Sequence, residues 1–83
     1  MELSNLRAQI EQIDHEILTA IAKRFEVAKQ IAKIKKDQKL YDPVREQELL
    51  ETWLKTTDLE ANFVRALFHL ILNESRNIMI RNS

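Results

Sequence analysis

Arg24, Lys35 and Glu46 are the residues of this 83-residue chain whose types and spacing could do chemistry. Placed on a helical wheel at about 100° per residue, Leu6, Ile10, Ile13, Ile17, Ile21, Ala28 and Ile31 form one apolar stripe, and Arg24 and Lys35 fall in the middle of it. A cation on a face that ought to be dehydrated is costly unless an anion or a hydrogen-bonding partner meets it, so two of them suggest a negatively charged ligand. Glu46 projects from the apolar face of a second helix, one turn ahead of Leu49, Leu50, Trp53 and Leu54, toward whatever the two cations face. An internal salt-bridge network would use the same residue types. The inward cations outnumber the inward carboxylate, however, which leaves positive charge to be met from outside the chain. Arg7 lies at the edge of the stripe, where it could reach across to another helix.

Other chemistries find little support. His15 and His69 fall on outward faces with no companion at metal-ligand spacing, so no zinc or iron site is expected. The absence of cysteine removes disulfides and thiolate metal sites, and the absence of glycine removes the P-loop and the GxGxxG turn. Thirteen Lys and Arg balance thirteen Asp and Glu, so the overall field points to neither nucleic acid nor an anionic membrane. The opening Met-Glu-Leu-Ser has no basic region and apolar run of a signal peptide, and no stretch approaches the roughly 20 apolar residues of a membrane span. A soluble, cytoplasmic protein is expected.

The elements that must position these residues are helices. Glycine is absent and Pro43 is the only proline, so few turn formers are present and an all-α chain with one domain over residues 1–83 is expected. The first helix should run from Leu3 to about Lys36. At 1.5 Å per residue it is about 50 Å long, against a radius of gyration of roughly 12 Å for a compact monomer of this size. It must protrude, and a second copy of the chain is the simplest cover for its apolar stripe. Lys36-Asp37-Gln38-Lys39 is a polar connector into Leu40 and Tyr41. Asp42-Pro43 starts a second helix, predicted from Pro43 to about Thr56, because Asp accepts bonds from free backbone N–H groups and Pro suits the first helical position.

Thr57-Asp58-Leu59-Glu60 has capping-box spacing and predicts a third helix to about Ile80, with an apolar stripe of Phe63, Leu67, Leu70, Ile71 and Ile78. Ser75 and Met79 lie one turn apart along one edge of that helix. Glu74 borders the stripe; a carboxylate near a helix end is more often a structural partner for an Arg or Lys than a catalytic group, and Glu74 is left unassigned, while Arg81-Asn82-Ser83 is expected to fray.

Together these residues carry a resemblance. Leu6-Arg7-Ala8-Gln9-Ile10-Glu11-Gln12-Ile13-Asp14, Ala22-Lys23-Arg24, Lys35, Asp42-Pro43-Val44-Arg45-Glu46 and Leu67-Phe68-His69-Leu70-Ile71 leading to Ser75 resemble the all-helical chorismate mutases over nearly the whole chain. The DPxRE segment, at its distance from the Arg and Lys, is the specific part. The resemblance implies an intertwined homodimer of three-helix chains with two active sites, each completed by the partner. It implies that Arg24 and the partner's Arg7 bind the two carboxylates of chorismate, assisted by Ser75. Lys35 would reach the ether oxygen, and Asp42, Arg45 and Glu46 would surround the ring hydroxyl. No cofactor is implied, because the rearrangement of chorismate to prephenate is intramolecular.

A pyruvate lyase acting on isochorismate, a mutase of an amino analogue of chorismate, and a non-enzymatic helical dimerisation module remain open beside this. The intact Asp42-Pro43-Val44-Arg45-Glu46 segment favours the chorismate hydroxyl. The chain departs from the family pattern at Met79, where relatives usually carry Gln or Glu. A thioether has no proton to donate, so developing charge on the ether oxygen would rest on Lys35, unless Arg76, Asn77 or an ordered water reaches it.

Overall fold

The computed structural model describes residues 2–34 and 42–82, which form α1 (Leu3–Ile34), α2 (Pro43–Thr56) and α3 (Ala61–Asn82). The described residues contain no strand, as the glycine-free composition predicts. The predicted continuation of the first helix into Lys35 and Lys36, the polar connector, Leu40 and Tyr41 lie outside the described residues. No helix among the described residues is long and apolar enough to cross a membrane.

Capping sets the start of α2. Asp42 has extended backbone geometry, and its Oδ1 accepts from the backbone N–H of Val44 at 3.1 Å and of Arg45 at 3.2 Å, with Pro43 directly behind it. Two N–H groups that the helix cannot satisfy internally are thereby met. The helix ends at Thr56, as its sequence predicts. The start of α3 differs in detail from the expected capping box. Glu60 is itself the cap: its two carboxylate oxygens accept from the N–H groups of Asn62 and Phe63, each at 3.0 Å. The Thr57 hydroxyl accepts instead from Leu59 N–H at 3.2 Å, closing a local turn just past α2. A glutamate side chain is long enough to fold back on its own helix start, so the cap lies at Glu60 and α3 begins three residues later than a Thr57 cap would place it.

At its other end α3 continues through Asn82 instead of fraying after Ile80. The Asn82 side-chain amide donates to the Ile78 carbonyl at 2.8 Å, and Arg81 pairs with Glu74 at 3.4 Å on the exposed surface. Glu74, left unassigned from the sequence, is therefore the partner of a surface arginine.

The helices pack around α3, which contacts both α1 and α2. Glu46 of α2 meets Arg76 of α3 and Trp53 meets Phe68, so the two helices run antiparallel. The Trp53 and Phe68 rings are edge to face, with centroids 5.0 Å apart at 86°, a geometry that adds to the apolar burial of both. On the other side Arg24 of α1 meets Ser75 of α3. The buried residues of α1, Ala28 and Ala32, lie beyond Arg24, whereas those of α3 lie mostly before Ser75, which is the pattern of a second antiparallel pair. Alanines at the contact let the helix axes approach closely.

The buried line of α3 is Val64, Phe68, Ile71, Ser75 and Ile78. This corrects the expected stripe: Ile71 and Ile78 belong to it, but Phe63 is 53% and Leu70 70% exposed, and Leu67 is only half-buried. Residues 63–72 are apolar around most of the helix, so periodicity alone allows two stripes, and contact with α1 and α2 selects one. The stripe of α1 is likewise only partly covered. Leu6, Ile10, Ile13 and Ile17 are exposed, and the described residues extend over 55 × 24 × 15 Å with a radius of gyration of 15.9 Å. The first half of α1 protrudes, as its length requires.

Candidate active site

A cleft of about 680 Å³ opens where the second half of α1, the start of α2 and the second half of α3 converge. Val27, Ile31, Leu49, Leu72 and Met79 give it apolar walls. Four cationic residues, Lys23, Arg24, Arg45 and Arg76, and two carboxylates, Asp42 and Glu46, also line it. The described lining therefore carries two positive charges in excess.

Each charged group is aimed by local structure. Arg24 lies one helical turn before Ala28, the close contact with α3, so its side chain extends along the α1–α3 junction. There Arg24 Nη1 donates to Ser75 Oγ at 2.8 Å, and Ser75 is only 4% exposed. Burial, and secondarily the nearby positive charge of Arg45, lower the Arg24 pKa from its ordinary value. The direction means that the site destabilises the charge of Arg24. Among the described residues no carboxylate reaches Arg24 within ion-pair distance; its hydrogen-bond partner is a neutral hydroxyl. An external anion would offset that cost.

Glu46 is a first-turn residue of α2 and is only partly exposed. Both its oxygens lie 3.0 Å from Arg76 Nη2. The alternative of an internal ion pair thus holds for Glu46, with Arg76 and not Arg24 as its partner, and among the described residues no carboxylate compensates Arg24. Asp42 and Arg45 stand at the same end of α2. Asp42 both caps the helix and borders the cleft.

Of the residues singled out from the sequence, Arg24, Asp42, Arg45, Glu46, Ser75 and Met79 come together in this one cleft. Arg7 does not. It is exposed on α1, seventeen positions before Arg24, or about 26 Å along the helix axis at 1.5 Å per residue. Lys35 lies outside the described residues. From the sequence Arg76 stands only as a substitute donor beside Met79; in the structure its carboxylate partner is Glu46. Its signal was its place on α3, four residues beyond Leu72 and three before Met79, on the same side of the helix as both. His15 and His69 are exposed, and no group of three or more potential metal ligands occurs among the described residues.

The chain is 38% identical over 79 residues, 89% of its length, to a bifunctional chorismate mutase/prephenate dehydratase of Buchnera aphidicola subsp. Schizaphis graminum. It spans only about a fifth (20%) of that relative's length. A crystal structure of chorismate mutase from Helicobacter pylori in complex with prephenate superposes with a TM-score of 0.85 at 34% identity, covering 96% of this chain and 91% of that one. The family model described as chorismate mutase type II matches residues 6–80, a span that takes in all three helices and every described wall of the cleft. On its sequence, its three-helix architecture and its cationic cleft, the chain belongs to the chorismate mutase type II family.

Proposed function

We propose that the cleft converts chorismate to prephenate. The observation that carries this reading is Arg24: a half-buried guanidinium held by neutral Ser75, beside Arg45, in a cleft with two excess positive charges. Chorismate is a dianion at neutral pH, and its two carboxylates match that excess. Family membership and the prephenate-bound relative give the same ligand chemistry.

The reaction is an intramolecular Claisen rearrangement. The ether C–O bond breaks, a C–C bond forms between the ends of the same molecule, and no proton or electron leaves the substrate. The protein has to hold the enolpyruvyl arm over the ring in a chair-like geometry, which is a positioning effect. Arg24, supported by Ser75, takes one carboxylate, and the partner's Arg7 takes the other. Glu46 accepts a hydrogen bond from the ring hydroxyl, with Asp42 and Arg45 around it. Lys35 approaches the ether oxygen and stabilises the negative charge that grows there as the C–O bond lengthens ahead of C–C closure. Apolar walls from Val27, Ile31, Leu49 and Leu72 lower the local dielectric and strengthen each of these contacts.

The functional unit in this reading is a homodimer. The protruding half of α1 presents Leu6, Ile10, Ile13 and Ile17 to solvent in the single chain, and a two-fold partner would cover them while delivering its Arg7. The deciding assay is loss of chorismate with purified protein, followed by identification of the product. Prephenate is expected; pyruvate released from chorismate would identify a lyase instead, and no turnover would leave an enzyme of isochorismate or of an amino analogue, or a dimerisation module.

Met79 borders the cleft one turn beyond Ser75 and cannot donate a hydrogen bond. Met79→Gln is therefore expected to raise kcat about tenfold, equivalent to about 1.4 kcal/mol of transition-state stabilisation. An unchanged or lower kcat would mean that the ether oxygen already has a second donor.

A further inference from the structure

Arg76 is, with Lys23, one of two cleft cations that the mechanism above leaves without a task. It follows Ser75 directly on α3, and its Nη2 lies 3.0 Å from both oxygens of Glu46, while its Nη1 is 3.4 Å from Asn73 Oδ1 on the same helix. The pair is partly shielded, with 34% of the Arg76 side chain and 24% of the Glu46 side chain exposed. Glu46 poses a difficulty in this position. A ligand carrying two carboxylates must approach a third carboxylate that is only partly solvated, and like charges at close range in a half-dry cleft repel strongly.

The Arg76 guanidinium answers that difficulty without using up the acceptor. Each Glu46 oxygen has two lone pairs, and a single shared Nη2 leaves capacity on both. Charge-assisted contacts to the guanidinium also fix where the carboxylate stands relative to α3, and hence relative to Ser75 and Arg24. We propose that Arg76 is a positioning residue of this site, which clamps Glu46 so that its carboxylate can accept a hydrogen bond from the ligand's hydroxyl without repelling the ligand's two carboxylates. This rests on the mutase reading, and it assigns Arg76 an action through Glu46 and not on the reacting atoms.

The prediction is a coupling between two residues. Arg76→Met should lower kcat/KM by about tenfold to a hundredfold, mainly through KM, because repulsion from an unscreened Glu46 acts on ground and transition states alike. Arg76→Lys, which keeps the charge but not the planar guanidinium, should recover most of the activity lost in Arg76→Met, because screening depends on the charge. In a Glu46→Gln background the Arg76→Met step should change kcat/KM by less than about threefold, since the charge to be screened is gone. Should the methionine variant not fold, Arg76→Gln carries the same comparison, because it keeps a donor to Glu46 and removes the charge. Equal losses in both backgrounds would overturn the proposal, as would failure of the lysine variant to recover activity. If the unaltered protein leaves chorismate unchanged, the mutase reading falls and this proposal with it; an active protein with uncoupled losses overturns the role of Arg76 alone.

Discussion

Lys35→Ala is expected to lower kcat by about a hundredfold to a thousandfold while raising KM much less. Removing one donor aimed at a developing oxyanion typically costs about 3 to 4 kcal/mol. Lys35 is eleven positions beyond Arg24, which at about 100° per residue returns it to within about 20° of the same stripe if the helical register continues. Its contact would be with the ether oxygen, which is weakly polar in chorismate and strongly negative in the transition state, so the loss falls on kcat. Arg24→Ala is expected to behave differently. Its contact with a carboxylate exists before and during reaction, and so KM should carry most of the loss. Steady-state kinetics on the two variants separate these patterns. Small and equal effects on both would support a structural ion-pair role for the stripe cations.

Mixing two inactive variants should restore activity. A homodimer of Arg7→Ala lacks the crossing arginine at both sites, and a homodimer of Arg24→Ala lacks the resident one at both. In a heterodimer, one site combines the unaltered Arg24 of one chain with the unaltered Arg7 of the other, and the second site lacks both. Random exchange of subunits makes half of the dimers mixed, so about a quarter of the original activity should return at equal amounts. The axial separation of about 26 Å between Arg7 and Arg24 on one straight helix is the physical reason for expecting this. An Arg7 acting within its own chain would give no restoration. Sedimentation showing an active monomer at assay concentration would exclude the shared site altogether.

Much of this arrangement follows from local rules. Helix number and approximate extent come from the apolar period, the missing glycines and the Asp42-Pro43 start, because hydrogen bonding and capping act within a few residues. The inward azimuth of Arg24 and the protrusion of α1 come from the same source: a 3.6-residue period places a side chain around its own axis, and rise per residue sets length. The resemblance in the DPxRE segment and the Arg and Ser positions likewise reads directly from residue types at their spacing.

Contacts between helices are another matter. Periodicity says that Glu46 points inward but not which cation meets it; Arg76, thirty positions away, does so only because α2 and α3 run antiparallel at that register. Nor does it choose between the two apolar stripes of α3, since residues 63–72 are apolar around most of the circumference and only packing against α1 and α2 breaks the tie in favour of Val64, Phe68 and Ile71. The neutral partner of Arg24 is decided in the same way. Sequence by itself determined that a cation would stand on a dehydrated face; tertiary structure decided that Ser75 would meet it and that the nearby carboxylate would be bound to Arg76. The reason is that an element's own backbone sets the direction of each side chain, while the identity of its neighbour depends on the relative placement of whole helices, which is a sum over all their contacts and belongs to no single residue.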